Sequence, residues 1–358
     1  MRHRFGAAVI SLVAAVSVGA APAQAKDDPP AVQVVADGLD GAFGLSFRYG
    51  RFYVAEPISG EITAIRRDGR QEVWASGFAG PTGVDRVYGR LLVVTGGPQD
   101  GTPVPGAATL FHARRNAPTQ TIADLQAYEL AANPDGQTQF GPDGAALDAL
   151  SNPVSVLAGR WRGQPTYVAD GGGNDVLQVA ADGTVSTFFV PPTVTTGACE
   201  GRPNNDEAST GCDSVPTGLA WGPDGNLYVS TLSGEAPGEG LVYVLDPRTA
   251  EVVRTVGGLD SPTGVAVGDD GEIYVSQILE GAPAGDPEQP PPPDFDPSTV
   301  GQITRIDPDG SLATAQVTQP LGLRVVDGEL YSTAWSIAGP GLGQVVRVGE
   351  KAFVEVDD

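Results

Sequence analysis

Residues 261–277 read SPTGVAVGDDGEIYVSQ, and residues 215–231 read VPTGLAWGPDGNLYVST. Both follow one plan: Pro-Thr-Gly, a short apolar run, a Gly/Asp turn, then a Tyr-Val strand. Gly264-Val265-Ala266-Val267 is bounded by turn residues, which suits a strand buried on both faces. Asp269-Asp270-Gly271 supplies the reversal. Glycine takes positive φ without steric cost, and Asp tolerates it better than most residues. Ile273-Tyr274-Val275-Ser276 returns as a β-branched and aromatic strand. One such hairpin cannot bury its own faces, so it needs neighbours.

Working outward, the inner strand recurs six times: Gly44-Leu45-Ser46, Gly83-Val84-Asp85, Ser155-Val156-Leu157, Gly218-Leu219-Ala220, Gly264-Val265-Ala266 and Gly322-Leu323-Arg324. Partner strands follow at 52–55, 91–94, 166–169, 227–230, 273–276 and 330–333. Third strands fit 61–65, 109–113, 176–180, 241–245, 302–306 and 344–348. Fourth strands fit 71–75, 120–124, 185–190, 252–256, 312–315 and 353–356. Four strands repeated six times about an axis predict an all-β fold, a six-bladed β-propeller with four-stranded blades. A β-sandwich would not need the repeated Pro-Thr-Gly. Residues 32–36 read as one strand more. They compete with 353–356 for the closing edge of the last blade, and the sequence leaves that choice open.

The first 25 residues read as a secretory signal peptide. Met1-Arg2-His3-Arg4 is basic, residues 5–20 are apolar, and Ala23-Gln24-Ala25 offers a cleavage site. Residues 26–358 then form a single propeller domain of an extracellular protein, expected to be monomeric. No later apolar run is long enough to span a bilayer. The formal charge of −23 should repel nucleic acid and anionic lipid. Cys199 and Cys212 are the only cysteines; export favours a disulfide between them, across the polar segment 200–211.

Strands of a propeller run alternately up and down. The connections from first to second strand, and from third to fourth, therefore share one face. Here they are short: Tyr49-Gly50, Asp68-Gly69, Asp182-Gly183, Asp309-Gly310 and Asp327-Gly328 among them. The opposite face collects every long insertion: 96–108, 126–152, 191–215, 232–240, 278–300 and 336–342. Loops presented by a rigid scaffold carry function. The long-loop face is thus the expected surface for an extracellular small molecule, glycan or protein. Within it, residues 283–297 (PAGDPEQPPPPDFDP) form a Pro-rich, acidic spacer in blade five. Residues 126–130 fit a short helix before Asn133-Pro134.

Residues 122–136 (IADLQAYELAANPDG), Ser151-Asn152-Pro153, residues 167–179 (YVADGGGNDVLQV) and the two opening stretches together resemble the ScyD/ScyE family of exported bacterial propellers. The resemblance covers nearly all of the chain after the signal segment. Asn-Pro-Asp-Gly and Ala-Asp-Gly-Gly-Gly-Asn are its more specific parts. It implies an NHL-like six-bladed propeller and no settled activity. Val154-Ser155 stands where the family has an aromatic residue and Gly.

Catalytic signals are sparse. After the signal segment His112 is the single histidine, so a Ser-His-Asp relay or a His-liganded metal has little to draw on. A competing function is a metal-dependent hydrolase or lactonase, similar to the gluconolactonase/regucalcin propellers, whose axial calcium takes carboxylate and amide oxygens. The first residues of the inner strands, Phe43, Thr82, Val154, Thr217, Thr263 and Leu321, supply neither. Oxygen-bearing side chains do end second strands: Glu56, Asp170 and Gln277, with Asn174 beyond a triple glycine. Glu56 and Asp170 are the candidate metal ligands; Glu56, Asp170, Asn174, Gln277 and Trp335 are the binding candidates. The plain alternative for Asp170 and Asn174 is turn chemistry, with side chains bonding local backbone N–H groups. Asn204-Asn205-Asp206-Glu207 lacks the ligand spacing of an EF-hand loop. The balance favours binding over catalysis and assigns no catalytic residue.

Overall fold

The computed structural model describes residues 31–87, 89–98, 102–115, 117–206, 208–283 and 294–356. Residues 1–25, read from sequence as a signal peptide, most of the Pro-rich stretch 283–297, and Glu207 lie outside the described residues. The chain forms six antiparallel sheets arranged as the blades of a propeller, five with four consecutive ring strands and the sixth with three consecutive strands joined by the first strand of the chain. Blade one runs Leu45–Arg48, Arg51–Glu56, Glu61–Arg66, Gln71–Ser76; blade five runs Pro262–Val267, Ile273–Gln277, Gln302–Ile306, Leu312–Gln316.

The Pro-Thr-Gly motif has a definite job. In blades two, three, four and five the pairing register slips between the first and third residues of that tripeptide, for example between Pro262 and Gly264. The middle residue is therefore bulged out of the ladder. Where it is Thr, its hydroxyl donates to a carbonyl of the next blade: Thr82 to Pro153 at 2.8 Å, Thr217 to Pro262 at 2.9 Å, Thr263 to Pro320 at 3.1 Å. The glycine that follows lies against the neighbouring inner strand. A Cβ on Gly264 would sit 2.1 Å from the Leu321 carbonyl oxygen. Blade three carries Val154 and Ser155 in these places, and the Ser155 hydroxyl is buried without a hydrogen bond.

Six apolar clusters lie between successive blades. One joins Tyr53 and Ile62 of blade one to Leu91 and Val93 of blade two; another joins Val242 and Val244 of blade four to Val265 and Val275 of blade five. Inter-blade packing of this kind accounts for Trp74 and Trp221 as well.

Ring closure falls to the N-terminal strand. Val32–Leu39 pairs antiparallel with Gly343–Val348, with Val32 opposite Val348 and Leu39 opposite Gly343. It is the outer strand of blade six. Arg347 secures it, one guanidinium nitrogen donating to Gln33 at 2.6 Å. Of the two stretches that competed for the fourth strand of blade six, 32–36 takes the place and 353–356 does not. Val354–Glu355 instead adds a fifth strand to blade five, with Thr314 opposite Val354. Charge and ring contacts draw the C-terminus there: Arg305 binds Glu350 at 2.9 Å and Glu355 at 3.2 Å, and Phe353 meets the ring of Tyr274.

The helix after blade two spans Leu125–Ala132. Asp124 caps its start by accepting from Ala127 N–H, and Asn133 ends it in the left-handed region at φ 42°. Cys199 and Cys212 form a disulfide and, with Val194 and Ala236, a small apolar cluster of their own. The long loops bond one another sideways, as in Gln137 to Asp213 and Ala198 to Glu239. Among the described residues no helix is long and apolar enough to cross a membrane.

Candidate functional site

The inner strands enclose an axial channel whose two ends differ. Near the long-loop end the glycines bring the strands together, and the space there is only about 40 Å³. At the short-turn end the channel opens into a cavity of about 390 Å³. Its wall is made by the residue two places after each inner-strand glycine, or after Ser155. Blades six, one and two contribute Arg324, Ser46 and Asp85; blades three, four and five contribute Leu157, Ala220 and Ala266. These are two contiguous arcs, one polar and one apolar.

The polar arc is pre-arranged. Asp85 accepts from the Ser46 hydroxyl on one oxygen and from Ala158 N–H on the other, both at 2.8 Å. Arg324 stands 3.9 Å from the same carboxylate. Around the mouth lie Arg48, Arg86 and Arg160, together with Tyr49 and Trp221. Arg86 is held over the rings of Tyr49, Tyr53 and Trp74 and donates to the Tyr53 hydroxyl, while its Nε is buried without a partner. Arg160 donates to the Gly222 carbonyl at 2.6 Å. Trp221 spends its N–H on the Ala158 carbonyl and keeps its ring edge-on to Tyr167. Four arginines against one carboxylate make this cavity cationic within a chain of net charge −23.

The residues singled out from sequence lie elsewhere. Glu56, Asp170 and Gln277 occupy equivalent places in blades one, three and five, and each takes the backbone N–H just ahead of its own blade's inner strand. The distances are 2.7 Å to Asp40, 2.6 Å to Asn152 and 2.5 Å to Asp260. Distributed over alternate blades, they brace three separate strand starts. Gln277 also donates to Thr304 Oγ1 at 2.7 Å, whereas Oε1 of Glu56 is buried with no hydrogen bond. Burial raises the Glu56 pKa above the ordinary carboxylate range. Burial also raises that of Asp170, against the pull of hydrogen bonds from Ser151, Gly173 and Asn152. Asn174, at φ 48°, accepts from Val215 N–H at 2.8 Å and so ties blade three to the start of blade four. Trp335 packs against the cluster between blades five and six, and its backbone N–H donates to the Thr318 carbonyl. His112 is half-buried on a third strand, where burial and then Arg90 lower its pKa. Among the described residues no group of three or more His, Cys, Asp or Glu is placed to hold a metal ion.

Ser46, Asp85 and Arg324 went unrecognised as a group in the sequence. The six inner triplets carry the signal in their last members. Their polarity changes around the ring, but sequence alone does not say which end of an axial channel is wide.

Solved structures share this architecture. A calcium-binding regucalcin from Agrobacterium tumefaciens matches with a TM-score of 0.51 and 14% identity, over 89% of this chain and 95% of that one. A gluconolactonase from Xanthomonas campestris gives 0.53 and 13%, over 88% and 89%. A streptogramin B lyase gives 0.51 and 12%, over 91% and 97%. No protein-family model and no curated protein matches the chain. At these identities the likeness is one of fold: the chain is a six-bladed β-propeller of the architecture used by gluconolactonases and streptogramin lyases.

Proposed function

We propose that the chain is a secreted binding protein that takes a small amphipathic molecule with an anionic group into the axial cavity at the short-turn end. One observation carries the reading. The cavity is divided between a polar arc of Ser46, Asp85 and Arg324 and an apolar arc of Leu157, Ala220 and Ala266, beneath a rim of arginines. An apolar body would lie against blades three to five, and a carboxylate or phosphate would meet Arg324 and the rim. Secretion is supported by the basic and apolar pattern of residues 1–25 and by the Cys199–Cys212 disulfide, since disulfides persist in oxidising compartments. The long-loop face, favoured at the level of sequence, would serve a glycan or protein too large for the cavity.

The competing reading is a metal-dependent hydrolase or lactonase. It draws on likeness of fold, and the long-loop end of the axis offers no carboxylate among Phe43, Thr82, Val154, Thr217, Thr263 and Leu321.

Thermal unfolding against a panel of aromatic carboxylates, sugar acids and phosphate monoesters tests the proposal. At least one anionic class should raise the midpoint, and Arg324→Ala should abolish that rise. Amide exchange should slow at residues 46–49 and 157–160. No stabilisation by any member, or protection confined to the long loops, would overturn it. Chelator-sensitive turnover of an ester and lactone panel would install the hydrolase instead.

A further inference from the structure

We propose a calcium site on the long-loop face, off the axis, formed by the turn at residues 133–137 together with Asp175. It does not rest on the axial cavity, which lies at the other end of the channel.

Four buried acceptor oxygens here have no hydrogen-bond donor: Oδ1 of Asn133, Oδ2 of Asp135, Oε1 of Gln137 and Oδ1 of Asp175. Asp175 is 0% exposed and Gln137 6%. Local chemistry fixes how each group is turned. Asp135 spends Oδ1 on Gln137 N–H at 3.0 Å, which closes the turn and leaves Oδ2 over. The amide nitrogen of Asn133 donates to the Gln137 carbonyl at 3.0 Å. The amide nitrogen of Gln137 donates to Asp213. Both amides thus have their nitrogens committed to acceptors, which dictates that their oxygens are the free ends. Asp175 accepts from the Thr187 hydroxyl on Oδ2 at 3.5 Å, which leaves Oδ1 over.

A buried acceptor left with no partner of any kind costs about 1–3 kcal/mol, so the three turn oxygens and that of Asp175, which interacts electrostatically with Asp135, call for a bound partner. They are joined by more negative charge. Glu129, on the helix just before the turn, is 2% exposed and interacts unfavourably with Asp135 and Asp170. Asp175 is set against Asp170, Glu129 and Asp135 in the same way. No ion pair among the described residues involves any of the four carboxylates. The triple glycine makes room for them: a Cβ on Gly173 would stand 2.8 Å from Glu129 Oε2.

A set of carbonyl and carboxylate oxygens with no donor in reach suits a hard divalent cation. Calcium accepts mixed amide and carboxylate oxygens, with water completing six to eight ligands. Magnesium demands a stricter octahedron and gives up its water reluctantly. The mixture also explains why carboxylates alone do not form a ready trio here.

The probe is calcium chloride added to chelator-stripped protein, read by calorimetry and thermal unfolding. Wild-type protein should release or absorb heat with about one-to-one stoichiometry and unfold a few degrees higher, as mass action requires of a ligand bound only to the folded state. Magnesium at the same concentration should do less. Asp135→Asn and Asp175→Asn should lose the calcium shift. Each removes a charge from a self-repelling cluster and supplies an N–H to the orphaned oxygens, so their calcium-free midpoints should not fall. Glu56→Gln, on another blade, should keep the shift. Absence of heat and shift in wild-type protein would mean the oxygens are satisfied by water only, and would overturn the site. So would a shift that survives in both Asn variants, or one lost in Glu56→Gln alone.

Discussion

The Thr217 hydroxyl donates to the Pro262 carbonyl 2.9 Å away, across the boundary between blades four and five. The same hydroxyl lies 3.1 Å from Ser230 Oγ. One side chain thus satisfies a buried carbonyl of the neighbouring sheet while its own backbone is bulged out of the ladder. Thr217→Val keeps the shape, since Val154 stands in that position in blade three. It should cost about 1–3 kcal/mol through the unpaired Pro262 carbonyl. Denaturant midpoints will measure it, and an unchanged midpoint would show that the bulge needs no hydroxyl.

Gly264→Ala should be much worse. Its methyl would be driven to 2.1 Å from the Leu321 carbonyl oxygen, which is backbone and cannot move alone. A loss above about 3 kcal/mol, or failure to fold, is expected. Ser155→Ala makes the complementary test. It removes a buried hydroxyl that has no partner, so stability should hold or rise slightly.

Glu56→Gln should stabilise the protein at neutral pH. Gln277 already shows the arrangement, accepting from Asp260 and donating to Thr304. Thr63 holds the matching place in blade one: it pairs with Val54 as Thr304 pairs with Val275. The sign of the pH effect follows from the raised pKa of Glu56. The folded state keeps a proton that the unfolded chain has already released, so stability falls as pH rises above the ordinary carboxylate range towards the folded pKa. The Gln variant should lack that component of the fall in midpoints measured from pH 4 to 8.

Replacing Cys199 and Cys212 by Ser should lower stability by about 3 kcal/mol in the chain-entropy model for a closed loop of this size. The sequence separation is 13 residues. Because both cysteines pack with Val194 and Ala236, part of the loss should appear as faster amide exchange in that loop before global unfolding.

The blades were legible because their signals are local. A Gly/Asp turn between a short apolar run and a Tyr-Val strand fixes hairpin, register and face within about fifteen residues. The closing strand was not legible, because Val32–Leu39 meets Gly343–Val348 through contacts more than three hundred residues apart in sequence. Nothing local separates that pairing from the β-rich tail at 353–356; Arg305, a residue of blade five, draws the tail away. The axial cavity was not legible for a related reason. Glu56, Asp170 and Gln277 are conspicuous by type, yet a buried oxygen that takes a backbone N–H looks the same in sequence as one awaiting a ligand. Ser46, Asp85 and Arg324 look ordinary singly and gain meaning only when the ring sets them side by side.

Closure by the N-terminal strand also sets a timetable. Val32–Leu39 precedes every other ring strand, yet its partner Gly343–Val348 follows them all. While the intervening five blades are made, that strand must stay unpaired, an exposed edge open to capture by other chains. Completing the ring is therefore the most non-local step the chain takes, and chains cut short before residue 343 would remain open circles, the form most exposed to aggregation and proteolysis.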